Sequence, residues 1–442
     1  MIGDLRTAAR PWRYATRWLV RARRVARLFA GSPDFRRPPL VRVEPVDQPS
    51  PRRLKEREGL RDEYPLVSAA DALGLATSWA HRTVIKEDRP GREDYPLTTT
   101  LPKFCLLMAL EVPLPNDGAS WPSLDALHAA YGRLGLPSTK AAWERDPDAT
   151  FAELRLSGPN PMFLKRYDTA EALAAEGLET PVPAGSYAVA YDRLFRGVSG
   201  ASSAQRRFFY PGIAVFERAG DRLRPVGVQL RRESGEAAWF PADGTCAWRL
   251  AMMHFGSCDM LAHELIAHFL WTHAVAEKFL LATARNLTWR HPLRRLLSPH
   301  LAGTLNNNNN ATPVLIQRGG LFDAVFGAGE RGKLVGLARG EAAWHFDKMV
   351  PARHIADRGL NDLPHFPYRD AALRLWSVVE EMVTAYVRLW YDGDERVLRD
   401  EEAQAWVAEL RDHAGPSIPA VTTRESLGLV LTAAIFNVLQ HG

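Results

Sequence analysis

Cysteine is scarce: Cys105, Cys246 and Cys258 are the only three in 442 residues, and they are widely scattered. That excludes a disulfide framework and fits a reducing compartment. No run of about 18 apolar residues occurs, so no helix of membrane-spanning length is expected. Arginines crowd the start of the chain and leave no apolar core for a signal peptide. Repeats of about 20 to 50 residues are missing as well, which excludes solenoids and propellers. Charged residues at 24% and aromatics at 10% lie near the globular average, so disorder and coiled coil are excluded for the bulk of the chain. The protein is expected to be cytoplasmic.

What is present is apolar material, 46% of residues, enough for two or three average domains or one large domain with an appendage. The net charge of +5 comes mostly from arginine and is uneven. Read as a helix, Arg6, Arg10, Arg13, Arg17, Arg21 and Arg24 form one basic stripe, with Trp12, Trp18 and Leu19 among them. Such a helix either packs, solvated, on its own domain or lies on an anionic membrane surface as a peripheral contact. Nucleic acid is not an expected partner, because no fold that binds it follows. From Arg36 to about Arg61, proline and charge predict an extended linker. Residues 1–60 are therefore separated from a main body over residues 61–442.

Within that body, Ile213 to Leu230 alternates apolar and polar residues around a turn at Gly220-Asp221, which predicts a small β-hairpin. Residues 247–287, 371–391, 401–412 and 423–440 carry apolar residues at three- and four-residue spacing. The fold is expected to be mainly α. Asn306 to Asn310 reads by composition as a polar loop.

Chemistry concentrates in His254, His263, His268 and His273, inside an otherwise apolar helix. Buried imidazole needs a partner at each nitrogen, so the cluster calls for a metal or a hydrogen-bond network. A zinc protease would place its second histidine four residues after His263-Glu264, but here it follows at five. Five residues on a regular helix turn about 140°, which splays the rings. A π-type turn brings that spacing onto one face, so the sequence predicts a bulged helix offering two imidazoles to one ion.

This histidine series is followed by Thr272-His273, Glu277, His291-Pro292, Leu296-Leu297 and Pro299-His300. In that order the residues resemble the lipoxygenase family. Further matching elements are Leu156-Ser-Gly158-Pro159-Asn160-Pro161, Val226-Gly-Val-Gln229-Leu230, Gly319-Gly320-Leu-Phe-Asp323 and Pro367-Tyr368-Arg369-Asp370. The similarity covers roughly residues 60 to 442 and is to compact bacterial members, with no room for an N-terminal lipid-binding β-barrel.

The resemblance implies a large helical catalytic domain holding non-haem iron, with manganese compatible with the same ligands. The reaction implied is insertion of O2 into polyunsaturated fatty acids bearing a 1,4-diene, to give hydroperoxides. A catalytically inactive lipid-binding relative is the alternative. The family's ligands fall on His268 and His273, with His263 and Glu264 behind them. A third falls on His441 in Gln440-His441-Gly442, where 441 − 273 = 168 residues separate it from the second. A less favoured register puts Asn437 in the family's asparagine position and Ala433 where a histidine belongs. In the favoured register the remaining ligands lie past Gly442, so the 442 residues are expected to be weakly stable and inactive by themselves. No side chain is implied as acid or base, that role belonging to metal-bound hydroxide. Ala311 falls at a position tied to product stereochemistry and Leu315 at one that clamps the diene. Thr312 and Met252 depart from the usual arginine and lysine, and no arginine is singled out for the fatty-acid carboxylate.

Overall fold

The computed structural model describes residues 42–63, 139–198, 208–232, 234–316 and 320–441. The arginine-rich helix expected from Arg6 to Arg24 lies outside the described residues. The elements that position the site are α1 (Pro51–Glu63), α2 (Pro147–Ser157), α3 (Cys246–Ala262), α4 (Val275–Asn286), α5 (Pro292–Leu301), α6 (Thr304–Ala311), α7 (Gly329–Ala342), α8 (Pro367–Trp390), α9 (Glu401–His413) and α10 (Arg424–His441). A π-helical segment, His263–Ala274, joins α3 to α4 without a break. The mainly α architecture agrees with the sequence reading.

The expected hairpin is present as β3 (Gly212–Ala219) and β4 (Arg222–Arg231), closed by Gly220 at φ 66°. It is the centre of a larger antiparallel meander. Strands β1 (Lys165–Tyr167), β2 (Ser186–Ala190) and β5 (Ala237–Pro241) complete a five-stranded sheet in sequential order. The flanking strands are only three to five residues long, too short to show an alternation in sequence.

Helix starts follow local chemistry. Asp146 caps α2 by accepting from Ala149 N with Pro147 in the first turn, and Thr245 caps α3 by accepting from Trp248 N. At α5 the buried His291 plays this part: its Nδ1 accepts from Leu293 N and its Nε2 lies 3.0 Å from Asp400. Asp400 in turn caps α9 and accepts from the Tyr391 hydroxyl. His291 is thus a structural joint between two helices.

Two large hydrophobic cores result, beside a smaller cluster around Ile213 and Val215 of the sheet. One lies between the sheet, α2, α3, the π segment and α7, and includes Phe151, Phe216, Phe255, Leu265 and Ile266. The other lies between α4, α5, α8, α9 and α10, and includes Phe279, Leu297, Val383, Trp406 and Leu431. The central helix passes from the first at Ala274 into the second at Val275. Among the described residues no helix is long and apolar enough to cross a membrane.

The proline-rich stretch departs from expectation. Its second half is not an extended linker but α1, with Pro51 at the first helical position. Arg53, 1% exposed, donates from Nε to Glu402 Oε1 at 2.8 Å and from Nη1 to Pro45 O at 2.7 Å. Glu402 also accepts from Thr288 N and Oγ1. Composition cannot reveal one arginine folded inward among many that are solvated. Removing one partner of a buried pair strands the other, so Arg53→Ala is expected to destabilise the protein by about 3 kcal/mol in urea denaturation. A loss under about 1 kcal/mol would show α1 to be a dispensable attachment.

Candidate metal centre

In the π segment the backbone bonds from residue i to i+5 rather than i+4, so residues five apart stand on one face. Thr272 Oγ1 donates to Ala267 O, five residues back, at 3.0 Å. The predicted bulge is there, extended over His263–Ala274. Its effect on the imidazoles is direct: Nε2 of His268 and Nε2 of His273 lie 3.1 Å apart. Two nitrogens each about 2.1 Å from one ion and at right angles are separated by about 3 Å, so the pair fits adjacent ligands of a single metal.

Glu264 sets the ring orientations. Its carboxylate meets His268 Nδ1 at 3.1 Å through Oε2 and His263 Nδ1 at 3.2 Å through Oε1. Hydrogen bonds from His263 and then His268 hold that carboxyl down at about 2. With Nδ1 engaged, His268 keeps Nε2 for the shared point beside His273, the pattern by which outer carboxylates fix metal-binding imidazoles. His263 stacks on His268, ring centroids 5.9 Å apart and 14° from parallel. Burial, reinforced by His268, pushes His273 down to about 4, leaving its ring neutral at pH 7. His254 stands elsewhere, edge-on to Tyr210.

The backbone is irregular where the π register ends: Val275 N donates to Thr272 O, three residues back. Side-chain amides meet the carbonyls at this junction. Asn308 Nδ2 donates to His273 O at 3.0 Å and to Glu277 Oε2 at 2.7 Å, and Asn437 Nδ2 donates to Thr272 O at 3.3 Å. Asn308 belongs to the asparagine run, which forms most of α6 instead of the expected polar loop. A homopolymer gives its buried member no contrast with its neighbours, so composition could not single it out. Asn308 is 1% exposed whereas Asn307 is exposed.

Of the other sequence candidates, Ala311 ends α6 and Leu315 lies in a second π segment, Thr312–Ile316, where it packs against the sheet-side core. Helix α6 rests on the π segment, so both follow directly from the element that Asn308 pins. Residue 441 closes α10, four positions after Asn437. Ala433, the histidine position of the second register, is wholly buried in the helical core. Among the described residues no group of three or more His, Cys, Asp or Glu side chains is gathered to hold a metal. His268 and His273 are the pair the described side chains offer.

Because it satisfies two buried acceptors, Asn308→Ala is expected to cost about 2 kcal/mol in thermal or urea unfolding. Asn307→Ala should remain within about 0.5 kcal/mol of wild type. Equal effects at the two positions would show that the run acts only through composition.

Known proteins resemble this chain in sequence and in fold. The family described as Lipoxygenase matches residues 214–438. A linoleate 9/13-lipoxygenase of Pseudomonas aeruginosa is 30% identical over 353 residues, covering 73% of this chain and 51% of that protein. A human polyunsaturated fatty acid lipoxygenase is 28% identical over 341 residues, covering 72% and 50% respectively. The chain thus spans about half the length of the curated relatives it matches. A lipoxygenase crystallised anaerobically in complex with arachidonate superposes with TM-score 0.75 at 24% identity, over 90% of this chain and 65% of the other. With its family match running from strand β3 to the last helix, through the π segment and its five-residue histidine steps, this chain belongs to the lipoxygenase family.

Proposed function

We propose that the protein is a non-haem iron dioxygenase, inserting O2 into polyunsaturated fatty acids with a 1,4-diene to give hydroperoxides. Membership of the family implies a catalytic metal. In this reading His268, His273 and His441 are its side-chain ligands, and the 3.1 Å separation of His268 and His273 Nε2 is the observation that carries it. Nitrogen and oxygen donors suit iron, and the same set accepts manganese. When bound in its ferric state, iron supplies a one-electron oxidant for the weak C–H bond between two double bonds.

The protein's own residues supply the rest. Glu264 orients His268 through Nδ1, and His263 buttresses that ring. Asn308 and Asn437 keep the π register that brings the imidazoles together. Phe269, Leu270, Leu280 and Leu281 are buried in the two cores, where they keep water from the helix that carries the site. Ala311 and Leu315 are proposed to face the fatty acid. The substrate class is supported by the relative named for linoleate and the structural neighbour holding arachidonate. A cytoplasmic protein drawing fatty acid from lipid is consistent with peripheral membrane contact through the basic residues Arg6 to Arg24.

Protein purified at full length is expected to carry close to one iron per chain and to produce conjugated-diene absorbance from linoleate and O2. His268→Ala and His273→Ala are expected to lose both, whereas His263→Ala retains the metal. Protein with neither iron nor manganese would sink the proposal. Metal without diene formation would identify a lipid-binding relative without catalysis.

A further inference from the structure

The geometry points to Trp271 and Gly340 as a positioning pair that fixes the register of the π segment, and so the angle between His268 and His273. The inference rests on the reading of those two histidines as metal ligands. Trp271 lies between them, three residues after one and two before the other, yet its indole bonds to Gly340, stacks on Phe163 and meets Lys348, all on other elements. Its indole Nε1 donates to Gly340 O at 2.8 Å in a buried hydrogen bond. One face of the ring stacks on Phe163, with centroids 5.3 Å apart and planes 27° from parallel, and Lys348 Nζ lies 4.5 Å from the ring centroid.

Gly340 is suited to this bond in two ways. Its carbonyl belongs to the last turn of α7, where backbone donors run out. Trp344 N, which would close the i→i+4 bond, donates to Glu341 O instead. The indole thus fills a vacant acceptor in a buried place. The residue also lacks a side chain where α7 crosses the π segment. A Cβ at Gly340 would come within 2.9 Å of Ile266 Cγ2 and 3.1 Å of Leu270 Cδ2. One turn earlier, a Cβ at Gly336 would lie 2.9 Å from Leu265 Cδ2 and 2.7 Å from Phe195 Cε1. Helix α7 therefore sits closer to the π segment than a residue bearing a side chain permits, which brings the carbonyl within reach of the indole.

Relaxing one i→i+5 turn to i→i+4 would rotate everything beyond it by one residue, about 100°. Such a slip would either pull Trp271 off Gly340 or swing His273 away from His268. The indole bond anchors the backbone between the two imidazoles against it.

The test uses Co(II) as a probe of ligand geometry, titrated into metal-free protein with visible absorption as the readout. Trp271→Phe keeps an aromatic ring beside Phe163 and removes the indole donor. Gly340→Ala acts from the other helix. Trp390→Phe is the control, because Trp390 closes α8 and packs on Tyr386 against the helical core. Both site variants are expected to lose about tenfold or more in Co(II) affinity, with altered band positions and intensities, while the control matches wild type. Wild-type affinity and spectrum in both variants would overturn the inference. So would an affinity loss no larger than the unfolded fraction measured by circular dichroism in chelator, since the indole would then be merely structural. Wild-type protein that takes up no Co(II), or takes it up as well after His268→Ala, would overturn the metal-site reading and this inference with it.

Discussion

Five residues on a regular helix turn about 140°, and the whole arrangement around the candidate site answers that one mismatch. To stand 3.1 Å apart, the nitrogens of His268 and His273 require a backbone wound in the rarer i→i+5 register. Long π runs are not self-sustaining, so neighbouring elements must over-determine this one. Asparagine side chains cover the carbonyls at its end, Gly336 and Gly340 of α7 lie against it, and Glu264 locks two of its rings. Each interaction is ordinary by itself. Together they make the less common helix the stable one here.

Legibility from sequence followed periodicity and spacing. The four long helices and the hairpin were readable because their apolar residues repeat at the helical or strand period, and the π turn because three histidines repeat at a step no α-helix accommodates. The resemblance then supplied residue roles that spacing alone left open between metal binding and a core network. Features that depend on a single tertiary contact were hidden. Arg53 looks like any arginine in a proline-rich stretch, Asn308 like its four neighbours, and Trp271 like one more apolar residue on a buried helix, until Glu402, Glu277 and Gly340 are placed beside them. The short outer strands were hidden for another reason, since three to five residues hold too few alternations to register.

Burial and charge are reconciled by the same economy throughout. Buried Asp400 is shared among His291, Tyr391 and the start of α9, and the Glu402 carboxylate among Arg53 and both donors of Thr288. Asp259 takes Arg155, Tyr191 and Asn160 together. In each case one carboxylate joins elements far apart in sequence, so the desolvation cost is spread over several hydrogen bonds. Asn160, singled out in sequence only as part of a matching motif, gains a physical role in this way.

The central helix leaves the sheet-side core at Ala274 and enters the helical core at Val275, one residue past the second histidine. Neither half can therefore open as an independent foldon without unwinding the element that the other half is built on. Subglobal opening, the usual route by which large domains fray, is disfavoured by this arrangement at the histidines, and amides along this spine are expected to exchange with the domain as a whole. The weak point of the backbone hydrogen-bond ladder coincides with the place where local unfolding has the least freedom to begin.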